Sequence, residues 1–283
     1  MDTLIYIMGK SPCDYVLSSQ FTSDMKHSAY LLAAVYIFMT RIVFSNLQQN
    51  TSSSQKNQKR NGWVLTTFIA IFSSLCFFLW IYNEFGTYKS HLFENIYGSS
   101  RIAQFSITLN CIYFVLDNIM MDYVYPECSD LQAKLHHYIY IVFMGSSLYL
   151  GCPNLFLVFG LVEVPTAMLG IGRIFPSLRT DLPLIIVFFL TRIVYHAYIA
   201  KYLYDTMHVT PYKLAFHGAS TSFFLHVYWL YMFIKSWQKH EKKKLSGKTM
   251  NEDEEPEFRM FDTSKSKQSN NNNCKNRQLS RSE

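Results

Sequence analysis

The residues best able to do chemistry lie between Tyr113 and Tyr140, in the stretch YFVLDNIMMDYVYPECSDLQAKLHHYIY. An apolar run there ends on two aspartates, Asp117 and Asp122. After a short polar turn carrying Pro126 and Lys134, the next apolar run opens on His136 and His137. An imidazole titrates near neutral pH, so it can take and return a proton while a carboxylate holds its orientation. His136 or His137 is therefore a candidate general base, with Asp117 the supporting acid closest in sequence. The other reading of a histidine pair at a helix start is a cap, or a contact with lipid headgroups.

More ionisable groups sit inside later apolar runs. Glu163 is followed by Pro165 and Thr166, and Arg192 and His196 lie one turn apart on one helix face. His226 falls near the centre of the last apolar run. Asn110 and Asp117 are seven residues apart and share a face, whereas Asp122 points elsewhere and belongs at the membrane interface. Ionisable groups cost several kcal/mol in hydrocarbon unless they line a cavity or find partners. Asn110, Glu163, Arg192, His196 and His226 thus form a candidate polar seam for lipid, in which Glu163 and Arg192 read first as a structural pair cancelling two charges. Pro165 removes a backbone donor and should kink or open its helix beside the carboxylate. No HExxH or GxSxG motif is present, and the six cysteines show no CxxC or metal-ligand spacing, so no metal and no resident cofactor are expected.

These side chains need elements that can hold them in oil. Apolar residues make up 49% of the 283, and charged residues only 16%, with the polar ones concentrated at 46–62 and after 238. Between them lie runs of roughly 18–22 mostly apolar residues, the length that crosses about 30 Å of hydrocarbon. The runs largely lack the polar face that a soluble helix or strand would show. The fold class is all-α, a polytopic transmembrane helical bundle of about seven spans. They fall near 28–45, 63–83, 102–122, 136–152, 154–172, 182–202 and 216–237, and a re-entrant or broken segment near 153–172 also fits. Trp63, Trp80 and Tyr82 read as interface anchors of the second span. Gly151, Pro153 and Asn154 signal a tight turn. Cys76 and Cys111 read as small core residues.

Residues 1–27 lack the basic start and apolar core of a cleaved signal peptide. Residues 46–62 read as a polar loop holding the sequon Asn50-Thr51-Ser52, and the tail, an alternation of lysine-rich, acidic and Asn/Ser-rich blocks, reads as disordered. The division expected is 1–57 for the first span and loop, 58–240 for the main transmembrane domain, and 241–283 for the tail. Lys56, Lys59, Arg60, Lys134, Arg173, Arg179 and the tail lysines bias one side, which predicts a cytoplasmic C-terminus. The net charge of +6 comes mainly from membrane-flanking residues, pointing to lipid headgroups and away from nucleic acid.

The tyrosine-rich run into Asp117, the His136-His137 pair, Glu163-Val164-Pro165-Thr166, Arg192 and Trp229 together resemble the TLC domain family over about 58–240. That family includes ceramide synthases, translocation-associated membrane proteins and lipid-homeostasis proteins. The resemblance implies a multi-pass protein of the endoplasmic reticulum or a related endomembrane, whose helical bundle surrounds a lipid-accessible site. In ceramide synthases the histidine pair is tied to acyl transfer from acyl-CoA onto a sphingoid amine. Carried over, that role falls on His136 and His137 with Asp117 in support.

Ceramide synthases also carry a hydroxyl residue soon after the histidines, then a His-Asp pair and a further aspartate. Here Tyr138, Ile139 and Tyr140 follow, and the later region offers Glu163, which is closer to the non-synthase members. The reading that results is a lipid-binding TLC protein acting in membrane lipid homeostasis, with membrane lipids as partners and room for homo- or hetero-oligomers. The alternatives are an acyl-CoA-dependent N-acyltransferase, with acyl-CoA as cosubstrate, and an ER cargo receptor or translocation accessory. The residues leave open whether the chain is an enzyme.

Overall fold

A computed structural model describes residues 16, 18–43, 54–88, 95–124, 131–206 and 213–245. Among them there is no strand, and the expected all-α architecture holds. Helix α1 is Ser19–Phe38, continued by a π-helical turn Met39–Val43; α2 is Ser54–Tyr88, α3 Arg101–Tyr123 and α4 Leu131–Tyr149. Then α5 (Asn154–Val158) passes through a 3-10 turn, Phe159–Glu163, into α6 (Val164–Ile174). Helix α7 (Asp181–Phe188) passes through a π segment, Phe189–Tyr195, into α8 (His196–Thr206), and α9 is Lys213–Leu245. Helical segments thus occupy all seven expected stretches. Asn61–Glu84, Arg101–Tyr123, Asn154–Ile174 and Asp181–Thr206 are each long and apolar enough to cross a membrane.

The boundaries depart from the sequence reading where polar residues are good helix formers. Residues 54–62, expected in the polar loop, form the start of α2, because Gln, Lys and Arg carry little helical penalty. For the same reason α9 runs on to Leu245, past the point where the tail was expected to begin. Helix α4 starts at Leu131, so His136 and His137 lie in its second turn instead of opening it. Trp80, expected at the interface, is buried in the core beside Cys76 and Phe77. Its place fits a longer α2, whose exposed Tyr82 lies further along. Asn50 lies outside the described residues.

The chain forms two compact units, 1–224 and 225–283, divided within α9. In the first, α2 is the central strut. It runs antiparallel to α3, tied by Ser73 to Asn110 and by the Thr66 and Tyr113 hydroxyls 2.9 Å apart. It also runs antiparallel to the α5–α6 segment, where Ser74 donates to the Gly160 carbonyl at 3.0 Å. Helix α1 lies along α3. Buried Asp24 accepts a forked pair of hydrogen bonds from Arg101 at the start of α3, and Gln20 adds a third at 3.0 Å. Ser18 and Ser100 cap α1 and α3 through their hydroxyls.

The turn before α5 is fixed by Gly151, whose φ of 71° lies in the region that glycine enters without steric cost. Asn154, fully buried, then accepts from the Ser100 amide and hydroxyl and donates to the Asn95 carbonyl. This one side chain locks the 95–100 connection to the start of α5. In the second unit, His226 lies beside Trp229 with ring centres 5.6 Å apart, and Lys235 sits over Tyr231.

Close approach of α2 to the 3-10 turn depends on Gly160. A Cβ there would meet the Ser73 carbonyl oxygen at 2.5 Å and the Phe77 Cβ at 2.7 Å. We expect Gly160→Ala to lower stability by about 1–3 kcal/mol, the usual cost of overpacking. Gly145→Ala, where a Cβ meets nothing within 4 Å, should cost nothing. Thermal unfolding in detergent checks both, and equal melting temperatures for the two variants would refute the packing account.

Candidate functional site

Two polar groups form inside the first unit. The first lies between α3 and α4. Asp117 and Asn118 occupy the buried face of α3, and His137 reaches both from α4. The His137 Nδ1 is 3.0 Å from Asn118 Oδ1, and its Nε2 is 3.8 Å from Asp117 Oδ2. An amide oxygen only accepts, so this arrangement puts the proton on Nδ1; an amide flip would put it on Nε2, toward the carboxylate. Either way both nitrogens of His137 face protein groups. Its ring also packs on Phe114 at 4.7 Å and edge-on to Tyr113 at 6.0 Å.

His136 stands differently. It is only half-buried, its ring lies 4.3 Å from that of Tyr140 one turn on, and Phe114 meets it edge-on at 6.1 Å. Of the pair, His137 is the buried imidazole and His136 the half-buried one. Asp122 is exposed and pairs with Lys134 across the α3–α4 turn. It staples the hairpin and takes no part in the group.

The second group forms where two irregular segments meet. Pro165 has no N–H to give the Leu161 carbonyl four residues back, and the helix responds by tightening: the Val164 N–H bonds Leu161 instead. Opposite this 3-10 turn lies the π segment 189–195, and its side chains fill in the polar ledger of the turn. Arg192 Nε donates to the Val162 carbonyl at 2.9 Å, and Arg192 Nη2 donates to the Thr166 hydroxyl. Tyr195 donates to the Val158 carbonyl at 3.0 Å. Ser74 supplies the Gly160 carbonyl from the other side, so Val158, Gly160 and Val162 each accept a side-chain hydrogen bond.

Glu163 Oε2 stands 3.7 Å from Arg192 Nη2. Arg192 is buried, stacked 5.1 Å from the Phe188 ring centre, while the Glu163 side chain keeps 30% of its exposure. The two groups lie within electrostatic reach of each other. The Glu163 carboxylate acts electrostatically on Tyr113 and Tyr140, and the Arg192 guanidinium acts on Tyr140 and His136.

A family model described as the TLC domain matches residues 18–235. The chain belongs to the TLC domain family. The match takes in α1 as well as the later spans. With its several membrane-length helices, this is a multi-pass membrane protein of that family. A comparison with curated proteins gives no match.

Within this TLC domain the residues singled out in the sequence fall into three sets. Asp117, His136 and His137 come together between α3 and α4. Glu163 and Arg192 meet across the α5–α6 and α7–α8 segments. The rest take separate places. Asn110 is buried and donates to Ser73 and to the Ser106 carbonyl, which makes it a tie between helices. His196 is fully buried with Nε2 2.9 Å from the Ala219 carbonyl, between the rings of Phe159 and Phe223. His226 is buried in the second unit.

Sequence reasoning missed Asn118, Tyr140, Thr166 and Tyr195. Helical spacing marks two of them, since Tyr140 is four residues after His136 and Tyr195 three after Arg192. Asp24 and Arg101 lie outside the candidate residues, and nothing in the local pattern announces their pairing.

Because Arg192 braces the backbone of the broken helix as well as meeting Glu163, its loss should cost more than the loss of its partner's charge. Arg192→Met leaves a buried carbonyl and a carboxylate without their donor, a loss on the order of 3–5 kcal/mol. Glu163→Gln removes the charge from the more exposed partner and should cost well under half of that. Unfolding midpoints in detergent decide, and a larger loss for Glu163→Gln would mean the ion pair, not the bracing, dominates.

Proposed function

We propose that this TLC-domain protein binds lipid within its helical bundle at the polar surface shared by His136, Tyr140 and Glu163, and through it acts in membrane lipid homeostasis. The observation that carries the reading is the enclosure of costly polar groups from four helical segments within the first unit. The groups at its centre, Asp117, His137 and Arg192, are buried and engaged with protein partners. His136, Tyr140 and Glu163 remain half-buried and approachable. An imidazole, a phenol and a carboxylate offer both donors and acceptors to the polar part of a lipid, while the exposed apolar faces of the helices leave its chains in the membrane. The membrane is that of the endoplasmic reticulum or a related compartment, with the C-terminus cytoplasmic.

A second reading is favoured by the different settings of the two histidines. With His137 held by Asp117 and Asn118, His136 would take a proton from an amine attacking an acyl-CoA thioester. The nitrogen–acyl bond would form as the carbon–sulfur bond breaks, and the proton would pass from His136 to the departing thiolate. Positioned general-base help of this kind is worth roughly 10²–10⁴ in rate. This would make the protein an acyl-CoA-dependent N-acyltransferase.

One set of proteins tests both. Lipid retained by the purified wild type, extracted and quantified by mass spectrometry, should fall at least severalfold in His136→Ala/Glu163→Gln. Cells lacking the protein should show an altered lipid profile that wild type restores and the double variant does not. Unchanged retention together with unchanged lipid profiles would sink the first reading. Incubation with acyl-CoA and sphingoid base distinguishes the second: it predicts an amide product from wild type and none from His136→Ala.

A further inference from the structure

A separate feature lies where the closing turns of α1 and α6 meet the first third of α2, away from the Asp24–Arg101 pair. Tyr36 and Met39 of α1, Trp63 and Val64 of α2, and Ile174 and Phe175 at the close of α6 pack into one small apolar cluster, with Val64 and Ile174 buried. Two arginines are laid beside it. The Arg173 guanidinium sits over the Trp63 indole, 6.0 Å from the ring centre. Arg179 returns along the last turn of α6 after the short 3-10 turn Pro176–Leu178. It can do so because position 172 is glycine: a Cβ there would lie 3.3–3.4 Å from the Cα, Cβ and Cγ of Arg179. Gly172 thus places the stem of Arg179 against the residue that precedes Arg173 in the chain. The Arg179 Nε donates to Asp181 at 2.9 Å, which fixes the plane of its guanidinium.

The level of this pair in the membrane follows from the spans. Arg173 lies in the last turn of the segment Asn154–Ile174, and Asp181 opens the next one, Asp181–Thr206. Both arginines therefore stand at the boundary between hydrocarbon and headgroups, with Pro176, Ser177 and Leu178 exposed between them. A guanidinium offers a planar fork that matches a phosphate through two parallel hydrogen bonds. Basic side chains at this level each favour an anionic lipid surface. What distinguishes this place from a scatter of surface cations is its construction: an indole floor under one arginine, a glycine that admits the other, and a carboxylate that orients it.

We propose that Arg173 and Arg179, floored by Trp63, form a phosphate-binding site at the membrane surface, distinct from the His136 region and filled by a phosphate ester such as the headgroup of an anionic phospholipid. The site depends on the fork of the guanidinium as well as on its charge. It therefore discriminates lipids by an exposed phosphate and not by their chains.

The test uses the full chain reconstituted in nanodiscs of phosphatidylcholine with or without phosphatidic acid, with native mass spectrometry of the bound lipid. Wild type should retain phosphatidic acid over phosphatidylcholine, and Arg173→Gln/Arg179→Gln should lose that preference by roughly tenfold or more, as two cation contacts imply. Arg173→Lys/Arg179→Lys keeps the charge and should still lose most of the preference. Arg41→Gln removes an exposed cation of α1 without touching the pair and should leave the preference intact.

Equal retention by wild type and the glutamine pair overturns the site. So does a loss for Arg41→Gln as large as for the pair, or full retention by the lysine pair, since either would reduce the effect to bulk charge. Inorganic phosphate is titrated as a separate arm. If it displaces the lipid from wild type and raises the melting temperature of wild type alone, the same two arginines serve a soluble phosphate. Should the glutamine pair fail to fold, the lysine pair and Trp63→Ala carry the decision.

Discussion

A backbone carbonyl in hydrocarbon has no water to turn to, and in the segment from Val158 to Glu163 three of them accept a donor from outside their own helix. Ser74, Tyr195 and Arg192 supply them. Much else in the first unit follows from that supply. The central helix α2 must come close enough for Ser74 to reach Gly160, and only a glycine lets it. Helix α7–α8 must present Arg192 and Tyr195 on one line, and the π segment is where both are displayed. Pro165 leaves Leu161 to the Val164 N–H, and residues far away in sequence reach the carbonyls on either side of it.

Burying a guanidinium is costly by itself, and here the cost is offset by several contacts at once. Two hydrogen bonds go to the broken helix, an aromatic ring lies beside it, and a carboxylate stands at ion-pair distance. The carboxylate is the looser member. Since Arg192 spends its best geometry on the backbone and on Thr166, Glu163 is steadied without being consumed. A similar division separates the two histidines: His137 is enclosed by Asp117, Asn118 and two aromatic rings, while His136 stays half-buried. Rigid support beneath half-buried polar groups is what the proposed lipid-binding surface would draw on.

The sequence disclosed the parts of this arrangement that depend on composition and short spacing. Apolar runs long enough for the membrane placed the helices, and charges within those runs drew notice to Asp117, Glu163 and Arg192 because oil makes them conspicuous. Pro165 announced the broken helix. Other parts were hidden because they depend on tertiary partners. Asn118, Tyr140, Thr166 and Tyr195 are ordinary polar or aromatic residues until a neighbouring helix gives them something to bond. Helix ends were misjudged at 54–62 and at 241–245, since lysine, glutamine and glutamate look like loop by polarity yet favour the helix by propensity. Trp80 read as an anchor because tryptophan favours interfaces, and only its neighbours Cys76 and Phe77 reveal it as core.

The fork between Asp24 and Arg101 bears on how the molecule is made. The two residues are 77 positions apart, so on a ribosome the acid emerges long before its counter-charge exists. Until residue 101 has been synthesised, the acid lacks the guanidinium that pairs with it in the folded chain. Close docking of α1 along α3 thereby draws on a residue made after the whole of α2.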